Sequence, residues 1–541
     1  MSKAGEHQNT EAAAGEQSAP SPWAPFKTQA FAILWIATVV SNVGTWMHDV
    51  GAGWLMTSLD PTPSMVALVQ AAVTLPVFLF ALPAGAIADI YDRRKLLIAV
   101  NLGMSAVASA LAVLVYLNLV TPLILLIFTF LLGTGAAFIA PAWQAIVPML
   151  VPRKDLPSAI ALNSMGINVS RAIGPALAGV LIAAIGLYAP FALNAVSFIG
   201  IIAALVLWKV PVKDKSHALP PERVGHAIRA GLRYVRRSGP FKATLIRAFL
   251  FFVFASGYWA MLPLVARDLL NGGPELYGIL LGCVGAGAVS GAVILPKIKA
   301  ALGPNRTVMV GTFGTAAAMA TLAAVPNAWA AGIACALGGL SWIAVLSSMH
   351  VSAQTALPNW VRARGLSVFL TVFFGAMAAG SLIWGFTANH LGIAGSLLIA
   401  AAGLCLGTFG GAKWRLGQAE ALDLSPSLHW PEPVLADGMD PDRGPVMVQI
   451  SYSVDTEKVP DFLEALRELS AERYRDGAYE WGVFEDTEQP GAFVEYFLVD
   501  SWLEHLRQHE RVSHADADLQ ERVRSYHSGD MPPTVRHLLA V

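Results

Sequence analysis

The sequence predicts an all-α membrane protein of twelve transmembrane helices in two six-helix pseudo-repeats, followed by a small cytoplasmic α+β domain. Three observations predict it. Apolar residues fill 55% of the 541 positions and charged residues only 13%, about half the charged share of a soluble domain. Twelve mostly apolar runs are each long enough, at about 20 residues, to cross a bilayer as a helix. The charge also divides: residues 1–415 carry 26 Lys plus Arg against 12 Asp plus Glu, whereas 416–541 carry 10 against 25. A membrane body and a water-exposed tail explain that division.

In chain order, residues 1–25 are rich in Ala, Glu, Gln and Pro and lack a basic start leading into a short apolar core. They are read as a disordered leader rather than a cleaved signal peptide. A first bundle occupies 26–210, with apolar runs near 29–49, 64–88, 96–118, 122–147, 158–185 and 189–208. A basic inter-half linker, 211–240, contains HAIRAGLRYVRR, whose spacing suits an amphipathic helix on the membrane face or a solvated linker. The second bundle, 241–415, has runs near 243–265, 275–296, 307–325, 328–352, 365–388 and 393–412. An acidic, Pro-rich linker over 416–445 leads to the soluble domain, 446–541. There VMVQISYSV, YEWGVF and AFVEYFLVD read as strands, VPDFLEALRELSAERYRDG as a helix, and SWLEHLRQHERVSHADADLQERVRSY as one further helix.

Basic residues are retained on the cytoplasmic side of a membrane, and here they fall in alternate loops. One set holds Arg93, Arg94 and Lys95; Arg153 and Lys154; nine bases over 209–242; Lys297, Lys299 and Arg306; Arg362 and Arg364; and Lys413 and Arg415. The opposite set holds only Arg267. Both termini are therefore expected in the cytoplasm, the chain being a multi-pass protein of the cytoplasmic (plasma) membrane. The halves also repeat: Gln144, Pro148 and Val151 recur as Gln354, Pro358 and Val361, each offset by 210 residues. Parallel duplication of this kind puts a substrate path between the halves near mid-membrane.

An ionisable group in hydrocarbon is costly, so each is a functional candidate. Arg171 lies in the fifth run, and His48 and Asp49 are placed at the end of the first. Asp49 is the carboxylate placed for proton coupling or for a simple interfacial role. His350 stands one turn before Gln354, as a titrating or a structural histidine. Gln70, Gln144, Asn163, Asn168 and Asn194 line a polar cavity or bridge helices. Trp46, Trp54, Tyr258, Trp259, Trp342 and Trp384 face a bulky substrate or anchor at interfaces. Cys283, Cys335 and Cys405 each sit in an apolar run, which argues against a disulfide framework or a thiolate metal site. No metal site, catalytic residue or cofactor is expected.

Gly85, Asp89, Arg93 and Arg94 have the spacing G-x-x-x-D-x-x-x-R-R. This resembles the signature loop between the second and third helices of the major facilitator superfamily, with Ile90 where a base is common and Asp92 where Gly is usual. The wider runs LPVFLFALPAGAIADIYDRRKLL and NVSRAIGPALAGVL are similar to the enterobactin-exporter branch of that superfamily. The resemblance implies a conformational latch at Gly85, Asp89, Arg93 and Arg94 that holds the halves together when the outer side is open. Gly85 is expected to let a neighbouring helix approach closely. Gly174, Pro175 and Gly179 match part of the helix-gate motif of antiporters in the superfamily, Ser170 and Ala178 replacing two of its glycines. The tail resembles antibiotic-biosynthesis-monooxygenase domains, of ferredoxin-like fold, above all in SWLEHLRQHERVSHAD.

The expected function is a secondary transporter exporting a small organic compound, such as a siderophore, antibiotic or drug, by alternating access and driven by the proton gradient. An importer of the same fold, or a membrane-tethered oxygenase-like enzyme acting through the tail, are the alternatives. The sequence has no Walker A loop, which argues against ATP drive. The acid excess of the tail argues against nucleic acid as a partner. The lipid bilayer and a small organic substrate are the expected partners, with self-association through the tail as a further one.

Overall fold

The computed structural model describes residues 21–208, 224–358, 360–411, 413–417, 427, 443–529 and 531–540. Most of the leader, the 209–223 part of the inter-half linker and most of the acidic linker lie outside the described residues. Ten helices among the described residues are long and apolar enough to cross a membrane. They are α1 (Gln29–Leu59), α2 (Pro63–Ile90), α3 (Arg93–Tyr116), α4 (Pro122–Leu150), α5 (Leu156–Ala184), α6 (Ala189–Leu207), and, after the shorter α7 (Val224–Arg237), α8 (Gly239–Leu264), α9 (Pro274–Ala324), α10 (Ala328–Thr355) and α11 (Arg362–Gly410).

Two of the ten are too long for one crossing. At 1.5 Å per residue α9 and α11 would each run about 75 Å, against about 30 Å of hydrocarbon. Each is broken at a single glycine, Gly303 (φ 71°, ψ 170°) and Gly392 (φ 74°, ψ 168°), in backbone geometry that side chains resist. Elsewhere caps set the ends: Thr121, Ser238 and Asn327 accept backbone N–H groups at the starts of α4, α8 and α10. The first helix departs from the sequence reading. α1 continues ten residues beyond Asp49, because the small residues Gly51, Ala52 and Gly53 and then Trp54, Leu55 and Met56 are all buried. His48 and Asp49 therefore lie within the helix, not at its end.

In the first half α1 packs against α5 and α6, α2 against α4, and α3 against α4 and α6. In the second half α8 packs against α11, and α9 against α10. The two most extensive pairs between the halves are α2 with α11 and α5 with α9, and α2 also touches α8.

The tail is built from β1 (Val446–Ser453), α12 (Val459–Asp476), β2 (Glu480–Glu485), β3 (Ala492–Val499), α13 (Trp502–Arg511), α14 (His514–Arg524) and β4 (Thr534–Leu539). The sheet order is β2-β3-β1-β4, antiparallel throughout. Alternate residues of β1 (Val446, Val448, Ile450, Tyr452) are buried with Phe462, Leu466 and Leu469 of α12 and Phe497 of β3. The expected single helix from Trp502 is instead two. Ser513 breaks it by forming a capping box with Asp516, which supplies the amide partners a new helix start needs. Strand β4, whose residues are mostly exposed, carries no clean alternation and went unread in the sequence.

The helical alternative for the inter-half linker is the one that forms, as α7. Its end is covered by protein: Tyr234 and Val235 are buried, and α7 packs on α12 and α11.

Candidate functional site

Where the halves meet, backbone lies on backbone. A Cβ at Gly278 would stand 2.9 Å from both Gly179 Cα and Pro175 O, and one at Gly285 would stand 2.5 Å from Ala172 Cα. Across the other pair, a Cβ at Gly385 would stand 3.1 Å from Ser64 Cα. Nearby, the Ser64 amide donates to Asn389 Oδ1 at 3.1 Å, Arg267 donates to the Thr57 carbonyl, and Trp54 stacks on Tyr277 at 6.1 Å. These contacts lie in the part of the bundle remote from the basic loops, the Gly285–Ala172 approach reaching mid-depth on α5. The helix-gate residues divide between two neighbours. Gly174 admits Trp46 and the Val43 carbonyl of α1, while Pro175 and Gly179 meet α9. Ser170, in place of a glycine, puts its hydroxyl 3.0 Å from the Val39 carbonyl.

Below the closed seam the structure brings three of the sequence candidates together. On α5, Ser170 and Gly174 face α1 while Ala172 and Gly179 face α9. Arg171, falling between these two faces at 100° per residue, is aimed at the space between α1 and α9. Ser164, exposed, and Asn168, half-buried, share that direction. The guanidinium carbon lies 5.3 Å from the Trp46 ring, and Nε and Nη1 are buried without a hydrogen-bond partner. Asp49 follows Trp46 by one turn and precedes Gly53, whose face meets the Tyr277 hydroxyl. Among the described residues no ion pair joins Asp49 to Arg171.

The other candidates stand apart. His48 is 2% exposed and edge-on to Phe191 of α6 at 4.9 Å, so it points into the first half. Gln144 and Gln354 are exposed. Gln70 is half-buried on α2, and half-buried His350 packs 5.8 Å from the Phe369 ring. Asn163 accepts from Trp143 at 3.0 Å and so bridges helices. Buried Asn194 faces the same close approach to α1 at Gly44. Tyr258, Trp259 and Trp342 pack on one another, and Trp384 donates to the Val253 carbonyl at 2.7 Å; these four fill the second half.

At the basic face the expected latch takes a different form. A Cβ at Gly85 would meet nothing within 4 Å, so no helix approaches it, contrary to the sequence expectation. The Asp89 side chain lies outside the described residues. Arg94 donates to the Leu205 and Val206 carbonyls, each at 2.7 Å, and Arg93 reaches the Ala145 carbonyl at 3.4 Å. Those carbonyls lie toward the C-terminal ends of α6 and α4, where cations are favoured, and all belong to the first half. Asp92 caps α3 by accepting the Lys95 amide.

A second constellation went unseen in the sequence: the tail is docked against the second half. Arg511 donates to Glu504 at 2.6 Å and to the Asp476 carbonyl at 3.0 Å while lying 4.5 Å from the Trp360 ring between α10 and α11. Arg233 of α7 reaches Glu504 at 3.4 Å. Arg475, held by Asp476 and Asp516 at 2.9 and 2.6 Å, lies 5.8 Å from the Tyr234 ring. Tyr234 in turn donates to the Ala356 carbonyl at 3.0 Å, and burial pushes its pKa up to about 12. Beside them Glu472 is raised to about 9 by burial and by Asp516. The contacts that join the tail to α7 and to Trp360 come from residues more than 100 positions apart, which no local spacing announces.

The sequence places His505, His509 and His514 within one stretch, but the rings that gather are a different group. His505 and His509 meet at 3.3 Å through Nε2, but the third ring is His537 of β4, 4.7 Å from His505 between centroids; His514 is exposed at the start of α14. Burial and the neighbouring His509 lower the His505 pKa to about 3, so His505 is neutral near pH 7, with hydrogen-bond contacts to Gln508 and His509. Inside the domain buried Glu495 is held by Arg473, Trp481 and Tyr452 at 3.0–3.1 Å.

Comparison with known proteins agrees with this geometry. The chain is 27% identical over 267 residues to the staphyloferrin A transporter of Staphylococcus aureus, an alignment spanning 48% of this chain and 65% of that one. It is 23% identical over 273 residues to the macrolide efflux protein A of Streptococcus pyogenes, spanning 49% and 65%. It is 25% identical over 337 residues to the enterobactin exporter of Salmonella choleraesuis, spanning 61% and 78%. The chain thus spans about two thirds of the length of the first two. Among solved structures, the nucleoside transporter NupG aligns with a TM-score of 0.61 at 10% identity over 71% of this chain and 99% of that one. An inward-facing bacterial homologue of the lysosomal transporter Spinster aligns at 0.53 and 17% over 72% and 98%. The family model described as transmembrane secretion effector matches residues 20–541, tail included, and the chain belongs to that family of major facilitator transporters, which are multi-pass membrane proteins and not enzymes.

Proposed function

We propose that the chain exports a small organic compound across the cytoplasmic membrane by alternating access, driven by inward proton flow. The observation that carries this reading is the one-sided closure of the interface between the halves, glycine against backbone, at the end remote from the basic loops. Arg171, Trp46 and Asp49 lie beneath that closure. By the charge bias of the loops the open side is the cytoplasm, where an exporter collects its cargo. Counting each side of Gly303 and Gly392 separately gives twelve crossings, an even number that supports both termini on one side, the cytoplasm by the loop charges. The two pairings between halves are reciprocal: the second helix of the first half meets the fifth of the second, and the fifth meets the second. A two-fold axis between duplicated bundles produces that exchange. Asp49 is the proton-binding group, and the bases of the Arg93–Lys95 loop re-engage the second half when the cytoplasmic side closes. The tail, whose strand order is that of a ferredoxin-like domain, regulates the second half through its docking. The names of the relatives support siderophores and macrolides as the classes to test first.

The test is uptake into inverted vesicles containing the full chain, with and without an imposed pH gradient, for a panel of siderophores and macrolides. Gradient-dependent accumulation of at least one compound is the expected result. Movement only in the importing direction, or none that depends on the protein, would overturn it.

A further inference from the structure

We propose that Arg171 is the docking cation for an anionic group of the transported compound, a carboxylate or other oxyanion, with Trp46 as its platform. This rests on the reading of the chain as a transporter with a central path.

A buried guanidinium requires a partner, because desolvation costs several kcal/mol per ion when nothing compensates it. In this protein two of the three guanidinium nitrogens are buried with no protein acceptor. The Trp46 face supplies part of the compensation, yet it leaves the Nε and Nη1 hydrogens without an acceptor. The nearest acid in the sequence of the facing helix, Asp49, forms no ion pair with it. The arrangement is also held rigidly: Gly174 seats α5 on Trp46 Cβ and the Val43 carbonyl, so the ring and the cation move together.

Depth excludes a lipid headgroup. Arg171 is 15 residues from the start of α5 and 13 from its end, about 20 Å from either, which is beyond the reach of a phosphate at the membrane surface. Direction favours a transported molecule. Exposed Ser164 and half-buried Asn168 precede Arg171 on the same side of α5, and the Gly179–Gly278 contact closes the way about 12 Å above it. An anion entering from the basic face therefore meets a forked donor at the end of its path, where a bidentate pair is strongest.

The experiment compares matched probes on the purified full chain: citrate against its trimethyl ester, and 2,3-dihydroxybenzoate against 2,3-dihydroxybenzamide, by thermal unfolding. At least one anion is expected to raise the midpoint and its neutral partner not to. Arg171→Gln is expected to weaken the anion about ten- to a hundredfold, Arg171→Lys less, and Trp46→Leu by an intermediate amount. If Arg171→Gln does not fold, the Arg171→Lys and Trp46→Leu pair decides. Equal shifts by acid and neutral partner, no shift by either anion, or an undiminished shift in all three variants would overturn the proposal. In the vesicle assay, gradient-driven transport that is unaltered in Arg171→Gln would sink this site while leaving export intact; absence of any gradient-driven transport would sink export instead.

Discussion

Gly278→Ala is expected to pry open the interface that closes one side of the bundle. The added methyl would stand 2.9 Å from Gly179 Cα, 2.9 Å from Pro175 O and 3.2 Å from Gly179 N. All three are backbone atoms, so no side chain can rotate out of the way. Overpacking of this kind costs about 1–3 kcal/mol, and at about 1.4 kcal/mol per tenfold change the closed arrangement loses about 5- to 150-fold in population relative to the open one. The readout is a single thiol, Ser64→Cys, placed at the partner seam against Gly385 and Asn389 in a chain whose three cysteines are replaced. A membrane-impermeant maleimide should label it faster by that factor from the face remote from the basic loops, and the transport cycle should slow. Gly200→Ala is the control, since its methyl would meet nothing within 4 Å. Labelling in Gly278→Ala no faster than in Gly200→Ala would refute the steric argument, and with it the closed seam as a moving part.

Arg511→Ala should release the tail. The lost Trp360 contact costs the docking about 0.5–2 kcal/mol, and breaking the buried pair with Glu504 inside α13, with side-chain exposures of 3% and 11%, costs the tail itself about 3–5 kcal/mol. Faster proteolysis of the tail, with the bundle intact, checks this; unchanged protection rejects the docking. Glu472 gives a pH signature. Its folded-state pKa of about 9 stands above the ordinary 4.5, so the folded tail holds the extra proton and loses stability as pH rises from about 4.5 to 9. Hydrogen exchange of β1 amides across that window should show the loss, and Glu472→Gln should flatten it. Asp49→Asn should leave export running down a substrate gradient but independent of the pH gradient in vesicles; persisting pH dependence would assign coupling to another group.

What the sequence revealed depended on whether a signal was local. Apolar runs, caps and loop charges are written within a few residues, so the ten long helices appear close to where the periodicity sets them. Asp49 misled for the same reason: an acid looks like the end of an apolar run, and only burial among neighbouring helices shows that α1 continues. Gly85 and Gly278 show the converse. The first belongs to a recognised spacing yet stands free in this arrangement, whereas the second has no motif around it and forms a backbone-to-backbone crossing between the halves, because its role depends on Pro175 and Gly179 a hundred positions away. Arg171 was conspicuous as a lone charge, but its orientation required knowing which sides of α5 the glycines occupy. The tail docking was invisible, since Trp360, Arg233 and Arg511 converge only in three dimensions.

The one-residue breaks at Gly303 and Gly392 leave no slack in the chain. With nothing to absorb it, a residue inserted beside either would twist the following segment by about 100°. Beyond Gly303 the twist would swing lipid-facing Val310 inward and bury-seeking Thr312 outward; beyond Gly392 it would do the same to Leu406 and Leu404. Tags, fusions and lineage-specific insertions are therefore tolerated at the tail linker long before either of these joints, and the lengths of the two hairpins should be among the least variable quantities in the molecule.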